Sequence, residues 1–124
     1  MIDIIDDIIA ILNEIEDLDG RVYRRWPKKK VKMPAVLVSR ISGNVQMSDA
    51  DGSEVIANLT YSIDVNADSQ DVADVLVSKA VNALSRYNLH RTGLTDFYDD
   101  ELRVYRAIIT LSVTVDRRGN TFTY

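Results

Sequence analysis

An α+β fold, a mainly antiparallel β-sheet of long strands packed by two helices, is what this sequence predicts, and three patterns predict it. From Val55 to Ala67, the residues Val55, Ala57, Leu59, Tyr61, Ile63, Val65 and Ala67 alternate with Asn58, Thr60, Ser62, Asp64 and Asn66. A period of two places the sets on opposite faces of a strand. From Arg103 to Val115, Tyr105, Ala107, Ile109, Leu111, Val113 and Val115 alternate in the same way with Arg106, Thr110, Ser112 and Thr114, and only Ile108 breaks the polar side. The third pattern is helical spacing of apolar residues in two other segments. A strand of this length extends roughly 40 Å at about 3.3 Å per residue, whereas a compact domain of this size is only about 35 Å across. The expectation is a subunit whose β-structure outruns its own body and is completed by neighbours.

Ile4, Ile5, Ile8, Ile11, Leu12 and Ile15 predict an amphipathic helix over roughly residues 2–18, stopped at Gly20. Acids near its start suit the helix dipole, but Asp17 and Asp19 at its end do not, and Arg21 and Arg24 are the nearest compensating cations. Val22 to Trp26 predicts a short strand ended by Pro27, which cannot donate to a ladder. Ala35 to Ser42 predicts a central strand, nearly continuous in apolar residues at first. Gly43-Asn44 and Asp51-Gly52 favour positive φ, so residues 35–42 and 55–67 should pair as an antiparallel hairpin. Asp68-Ser69 offers an N-cap. The stripe Val72, Val75, Leu76, Lys79, Ala80, Ala83, Leu84 and Tyr87, broadened by Ala73, Val77 and Val81, predicts a helix lying on the sheet. Residues 88–100 show no period and predict a loop with one short strand at Thr95 to Tyr98. Arg117 to Asn120 predicts a turn, and Thr121 to Tyr124 either a final short strand or an arm reaching a neighbour. The whole of 1–124 is expected to be one domain, with a C-terminal arm over 117–124.

Composition narrows the function classes. A hydrophobic share of 46% excludes a wholly disordered chain. No apolar run reaches the length of a membrane-crossing helix. Asp3, Asp6 and Asp7 stand where a signal peptide would be basic, so the expectation is the cytoplasm in which the chain is made. With no cysteine there is neither a disulfide nor a thiolate site. A net charge of −4 gives the chain as a whole no reason to bind nucleic acid.

Chemistry-bearing motifs are scarce. The single histidine, His90, has no serine or carboxylate in local reach, and one histidine without cysteine does not suggest a transition-metal site. Asp49-Ala50-Asp51-Gly52, with Ser53 and Glu54, resembles part of a calcium loop, but a third early ligand and the distant bidentate glutamate are missing. An exposed hairpin tip explains it better. Asp99, Asp100 and Glu101 suit a solvated loop leading into an edge strand better than a cation site. No GxGxxG and no P-loop occur. No catalytic, cofactor or metal residue is therefore assigned, and the expectation is a protein that is not an enzyme.

Charge is segregated along the chain. All charged residues from Met1 to Gly20 are acidic, and all from Arg21 to Lys32 are basic: Arg21, Arg24, Arg25, Lys28, Lys29, Lys30 and Lys32. Tyr23 and Trp26 are interleaved with these cations, as in segments that grip phosphates and stack bases. Three simpler readings compete with nucleic-acid binding: a solvated loop, an intrachain partner for the acidic first helix, and an intersubunit contact. The candidate interaction residues are Arg21, Arg24, Arg25, Trp26, Lys28, Lys29, Lys30 and Lys32.

The element order carries a resemblance. An N-terminal helix leads to Gly20-Arg21-Val22-Tyr23 and Trp26-Pro27, then to a strand opening Met33-Pro34-Ala35-Val36-Leu37-Val38. A polar hairpin follows, then a long strand ending Tyr61-Ser62-Ile63-Asp64-Val65-Asn66-Ala67, a helix, a segment with Asp96-Phe97-Tyr98, and a strand with Arg103-Val104-Tyr105-Arg106. Over roughly residues 2–116 this resembles the tail-terminator, or tail-completion, proteins of long-tailed bacteriophages and prophages. The resemblance implies a non-enzymatic virion protein, made and assembled in the bacterial host cytoplasm. Its copies would form a homo-oligomeric ring, commonly a hexamer, that caps the tail tube and meets the head-tail connector proteins. It implies no cofactor and no membrane, and DNA only as it passes through the ring. Lys28-Lys29-Lys30 and the tail after Val115 have no counterpart in the resemblance. The alternatives are another phage neck component, a head-completion or connector protein, and a small nucleic-acid-binding accessory protein.

Overall fold

The computed structural model describes residues 3–48, 54–116 and 121–122, with 44–48, 54, 55, 121 and 122 described by their backbone alone. In chain order they form helix α1 (Ile5–Leu12), a 3-10 turn (Glu16–Leu18), β1 (Val22–Tyr23), β2 (Ala35–Ser48), β3 (Glu54–Ala67), α2 (Gln70–Ser85), β4 (Arg91–Asp99), β5 (Val104–Asp116) and β6 (Thr121–Phe122). The expected class holds: one mixed, mainly antiparallel sheet in the order β1-β2-β3-β5-β4, packed by two helices. Only β1 and β2 run parallel. Thr121 and Phe122 pair back onto Val115 and Thr114, so this part of the expected arm is a final short strand. The expected hairpin tip at 49–53, the expected turn at 117–120 and residues 123–124 lie outside the described residues.

The alternation in the sequence becomes the two faces of the sheet. Ala57, Leu59, Tyr61, Ile63, Val65 and Ala67 of β3 join Ala107, Ile109, Leu111, Val113 and Val115 of β5 in the core. Against them α1 buries Ile5, Ile8, Ile11 and Leu12, and α2 buries Ala73, Leu76, Ala80, Ala83 and Leu84. Burying aliphatic surface at about 25 cal/mol per Å² is what holds helices to sheet. The expected N-cap is present: Ser69 Oγ accepts from the Val72 N–H at 3.2 Å.

Five expectations need correcting. The first short strand ends at Tyr23 and not at Trp26, and β2 runs on through Gly43 and Asn44, which pair with Leu59 and Asn58, to Ser48. The first helix is half the expected length, because Ile15 turns extended and the chain continues as a 3-10 turn. Glu14, Glu16, Asp17 and Asp19 would have opposed the negative end of a longer dipole. The α2 stripe is rotated, leaving Val72 and Val75 exposed while Ala73 is buried. Most substantially, residues 88–100 are not a loop with a short strand, because β4 pairs with β5 over nine residues from Arg91 to Asp99. Seven of those nine are exposed, with only Gly93 and Asp99 partly covered, so neither face selected apolar residues and no period was written.

Candidate functional site

The basic stretch divides into cations that build the fold and cations that do not. Arg21 is structural: its Nε donates to the Pro34 carbonyl at 2.8 Å, and its guanidinium also donates to the Asp17 carbonyl. These bonds tie the start of the 24–34 loop to its end, beside a cis Met33-Pro34 peptide. Arg24 meets Asp6 of α1 at 3.5 Å, which is the intrachain pairing of the acidic and basic blocks. The cation at Asp17 is one that sequence proximity did not indicate, Lys79 of α2, at 2.5 Å. Arg25, Lys28, Lys29, Lys30 and Lys32 are exposed and form no ion pair among the described residues. Trp26 is 39% exposed and packs on Tyr23 with ring centroids 5.8 Å apart. The loop thus presents a half-exposed aromatic pair amid five uncommitted positive charges.

At the other end of the sheet, β4 has β5 on one side and, among the described residues, no strand on the other. Leu94, Phe97 and Tyr98 are 42%, 42% and 45% exposed. Between β4 and α2 runs a groove of about 410 Å³ lined by Val77, Val81, Leu94 and Ala107, with Asp74, Asp96 and Arg91 as its charged residues. Asp96, Asp100 and Glu101 are exposed and form no ion pair among the described residues. Among the described residues the second open edge is β2 beyond Leu37, because β1 pairs only with Val36 and Leu37.

One polar cluster escaped the sequence reading. Arg106 donates to Asp64 at 2.5 Å and to Asp99 at 3.1 Å, and its guanidinium lies 5.2 Å from the Phe97 ring centre. Asp99 also accepts the N–H groups of Glu101 and Leu102, so those donors and Arg106 hold its carboxyl below the usual range. Bonding to Asp64 raises the Arg106 guanidinium. Asp64 and Arg106 stand on the polar side of both alternating stretches, but the β3–β5 register that joins them is written in neither. The cluster locks β3, β5 and the 99–102 turn together and leaves no reactive group free. His90 is exposed, and no group of three or more His, Cys, Asp or Glu among the described residues is placed to hold a metal. No helix among them is long and apolar enough to cross a membrane.

No known protein family matches the chain, and no curated protein does. The geometry of the two sheet edges and the basic loop is therefore what bears on function.

Proposed function

We propose that this protein is a structural subunit of a bacteriophage virion, a tail terminator whose copies close into a ring on the end of the tail tube and join it to the head. The observation that carries the reading is the pair of open edges on opposite sides of one sheet, β4 on one side and β2 beyond Leu37 on the other. Unpaired strand edges invite another chain, and edges on opposite sides favour a head-to-tail contact, which generates rings when the rotation closes. A hexamer is the size that the family resemblance implies. The partners are further copies of the chain, the tail tube protein and the head-tail connector proteins, and the protein carries out no catalysis.

Light scattering of the eluting full chain, followed by negative-stain imaging with isolated tail tubes, tests the reading. Rings in solution or on tube ends are the expected result. A chain that stays monomeric at high concentration and leaves the tube ends bare contradicts it, and rings that bind portal complexes but not tubes indicate the head-completion alternative. The uncommitted cations beside Trp26 favour a second reading, a nucleic-acid-binding accessory protein. That reading requires affinity that falls steeply with salt and disappears when Lys28, Lys29 and Lys30 are neutralised.

A further inference from the structure

β1, which leads into the basic loop, and β4 stand at opposite ends of the same rows of the sheet. Val22 lies beside Val36, Val36 beside Val65, Val65 beside Ala107, and Ala107 beside Asp96, so a single row crosses from β1 to β4. The adjacent row joins Tyr23 to Thr95 through Leu37, Asp64 and Ile108. β1 runs parallel to β2, and three successive antiparallel pairings then reverse the direction, so β4 runs opposite to β1. Two copies placed side by side with their faces aligned bring the β1 end of one antiparallel to the open edge of β4 on the other, at the same height. That is the arrangement a ladder needs in order to continue.

We propose that the segment Tyr23–Lys32 of one copy docks on β4 and the adjoining α2 rim of the next. This inference rests on the ring reading above and names its contact. Charge favours it: Arg25 and four lysines without ion pairs meet a rim where Asp74, Asp96, Asp100 and Glu101 have none, four acids that outnumber the one cation, Arg91, lining the groove beside them. Trp26, the chain's one tryptophan, supplies an aromatic anchor, the residue type over-represented at the energetic centres of interfaces. The groove lined by Val77, Val81 and Leu94 supplies apolar surface to receive it. A twofold contact of β4 on β4 would instead set Asp96, Asp100 and Glu101 against their own copies, and like charges across an interface are costly. The contact also gives a role to five uncommitted cations gathered within residues 25–32 of an acidic chain.

Two charge-reversed full-length chains test this, Lys28→Glu/Lys29→Glu/Lys30→Glu and Asp96→Lys/Asp100→Lys/Glu101→Lys. All six positions are exposed, and circular dichroism checks that each variant folds. Each variant alone should need at least about tenfold higher concentration than the parent to assemble. An equimolar mixture should assemble like the parent, because an acidic loop then faces a basic rim and a basic loop faces an acidic one. Independently, zero-length carbodiimide cross-linking of mixed 14N and 15N parent chains should give mixed-isotope links from Lys28, Lys29, Lys30 or Lys32 to Asp74, Asp96, Asp100 or Glu101. A parent that assembles without such links, or whose assembly ignores both reversals, overturns the contact and leaves the ring reading standing. So does loss of nucleic-acid binding as the sole effect of the lysine reversal. A parent that never assembles removes the ring reading, and the contact with it.

Discussion

Tyr61 and Arg106 are the side chains through which the sheet is tied to its surroundings. The Tyr61 hydroxyl, buried beneath α1, donates to Asp3 at 2.6 Å and accepts the Ile4 N–H at 3.0 Å. Burial, followed by the bond to Asp3, raises its pKa above the ordinary 10.0. The folded state therefore holds the proton that the unfolded state gives up, and stability that is full below pH 10 is lost as pH rises beyond it. Tyr61→Phe should remove that alkaline contribution and cost about 1–2 kcal/mol at neutral pH, as urea melts at several pH values would register. Asp99 behaves with the opposite sign. Its lowered pKa contributes stability that is full above the ordinary 3.8 and is lost as pH falls through the depressed value. Asp99→Asn should flatten the acid limb of the same melts. Arg106→Ala strands the largely buried Asp64, for which about 2 kcal/mol is the expected loss.

At the level of elements, α1 and β4 illustrate how differently two segments come to their structure. In α1, six isoleucine and leucine side chains at helical spacing, Ile4 to Ile15, are buried as the spacing requires, even though the helical hydrogen bonding stops at Leu12. Burial follows from where the side chains point, while helix length also depends on the dipole, which the acids from Glu14 onward oppose. α2 is better supported, starting on a Ser69 cap that satisfies one free donor of its first turn. Ser69→Ala should lower stability by about 1 kcal/mol in thermal or urea unfolding, with the fold unchanged. β4 has little side-chain burial of its own and is held by its ladder to β5 and by the Asp99–Arg106 bond. An exposed edge held mainly by backbone pairing opens more readily than the core strands. Hydrogen exchange should accordingly find β4 amides facing β5 less protected than β3 amides in dilute protein, and more protected once the chain assembles.

On the scale of the whole molecule, the sheet has a covered face, an uncovered polar face and two unlike ends. The helices lie over β2, β3 and β5, and β4 projects beyond them with both faces wet. Asymmetry of this kind suits a repeating head-to-tail contact better than a symmetrical pair. Trp26 is a built-in probe of that contact, because it is the sole tryptophan and 39% exposed. Its emission should shift to the blue as concentration rises through assembly and return when salt weakens the charged rim. An emission maximum that holds constant while the mass increases would place the contact elsewhere. Trp26→Ala should change the stability of the isolated chain by no more than about 0.5 kcal/mol.

By itself the sequence determined the α+β class, the β2–β3 hairpin, both long core strands, the α2 cap and the residues α1 buries. In each case a local pattern, period two, helical spacing or a capping side chain, has a local physical cause. It also marked the basic stretch as unusual. Only the tertiary structure decided which of those cations are occupied, because Arg21 bonds to Pro34 and Arg24 to Asp6 across segments that sequence distance does not bring together. Only it revealed β4, whose exposure on both faces leaves no periodic trace, and the Asp64–Arg106–Asp99 cluster, which depends on strand register. The opposition of basic loop and acidic edge belongs to the same class of fact. Their residues are about 70 positions apart in the chain, and strand order and direction alone place β1, which leads into the loop, and β4 at opposite ends of one row.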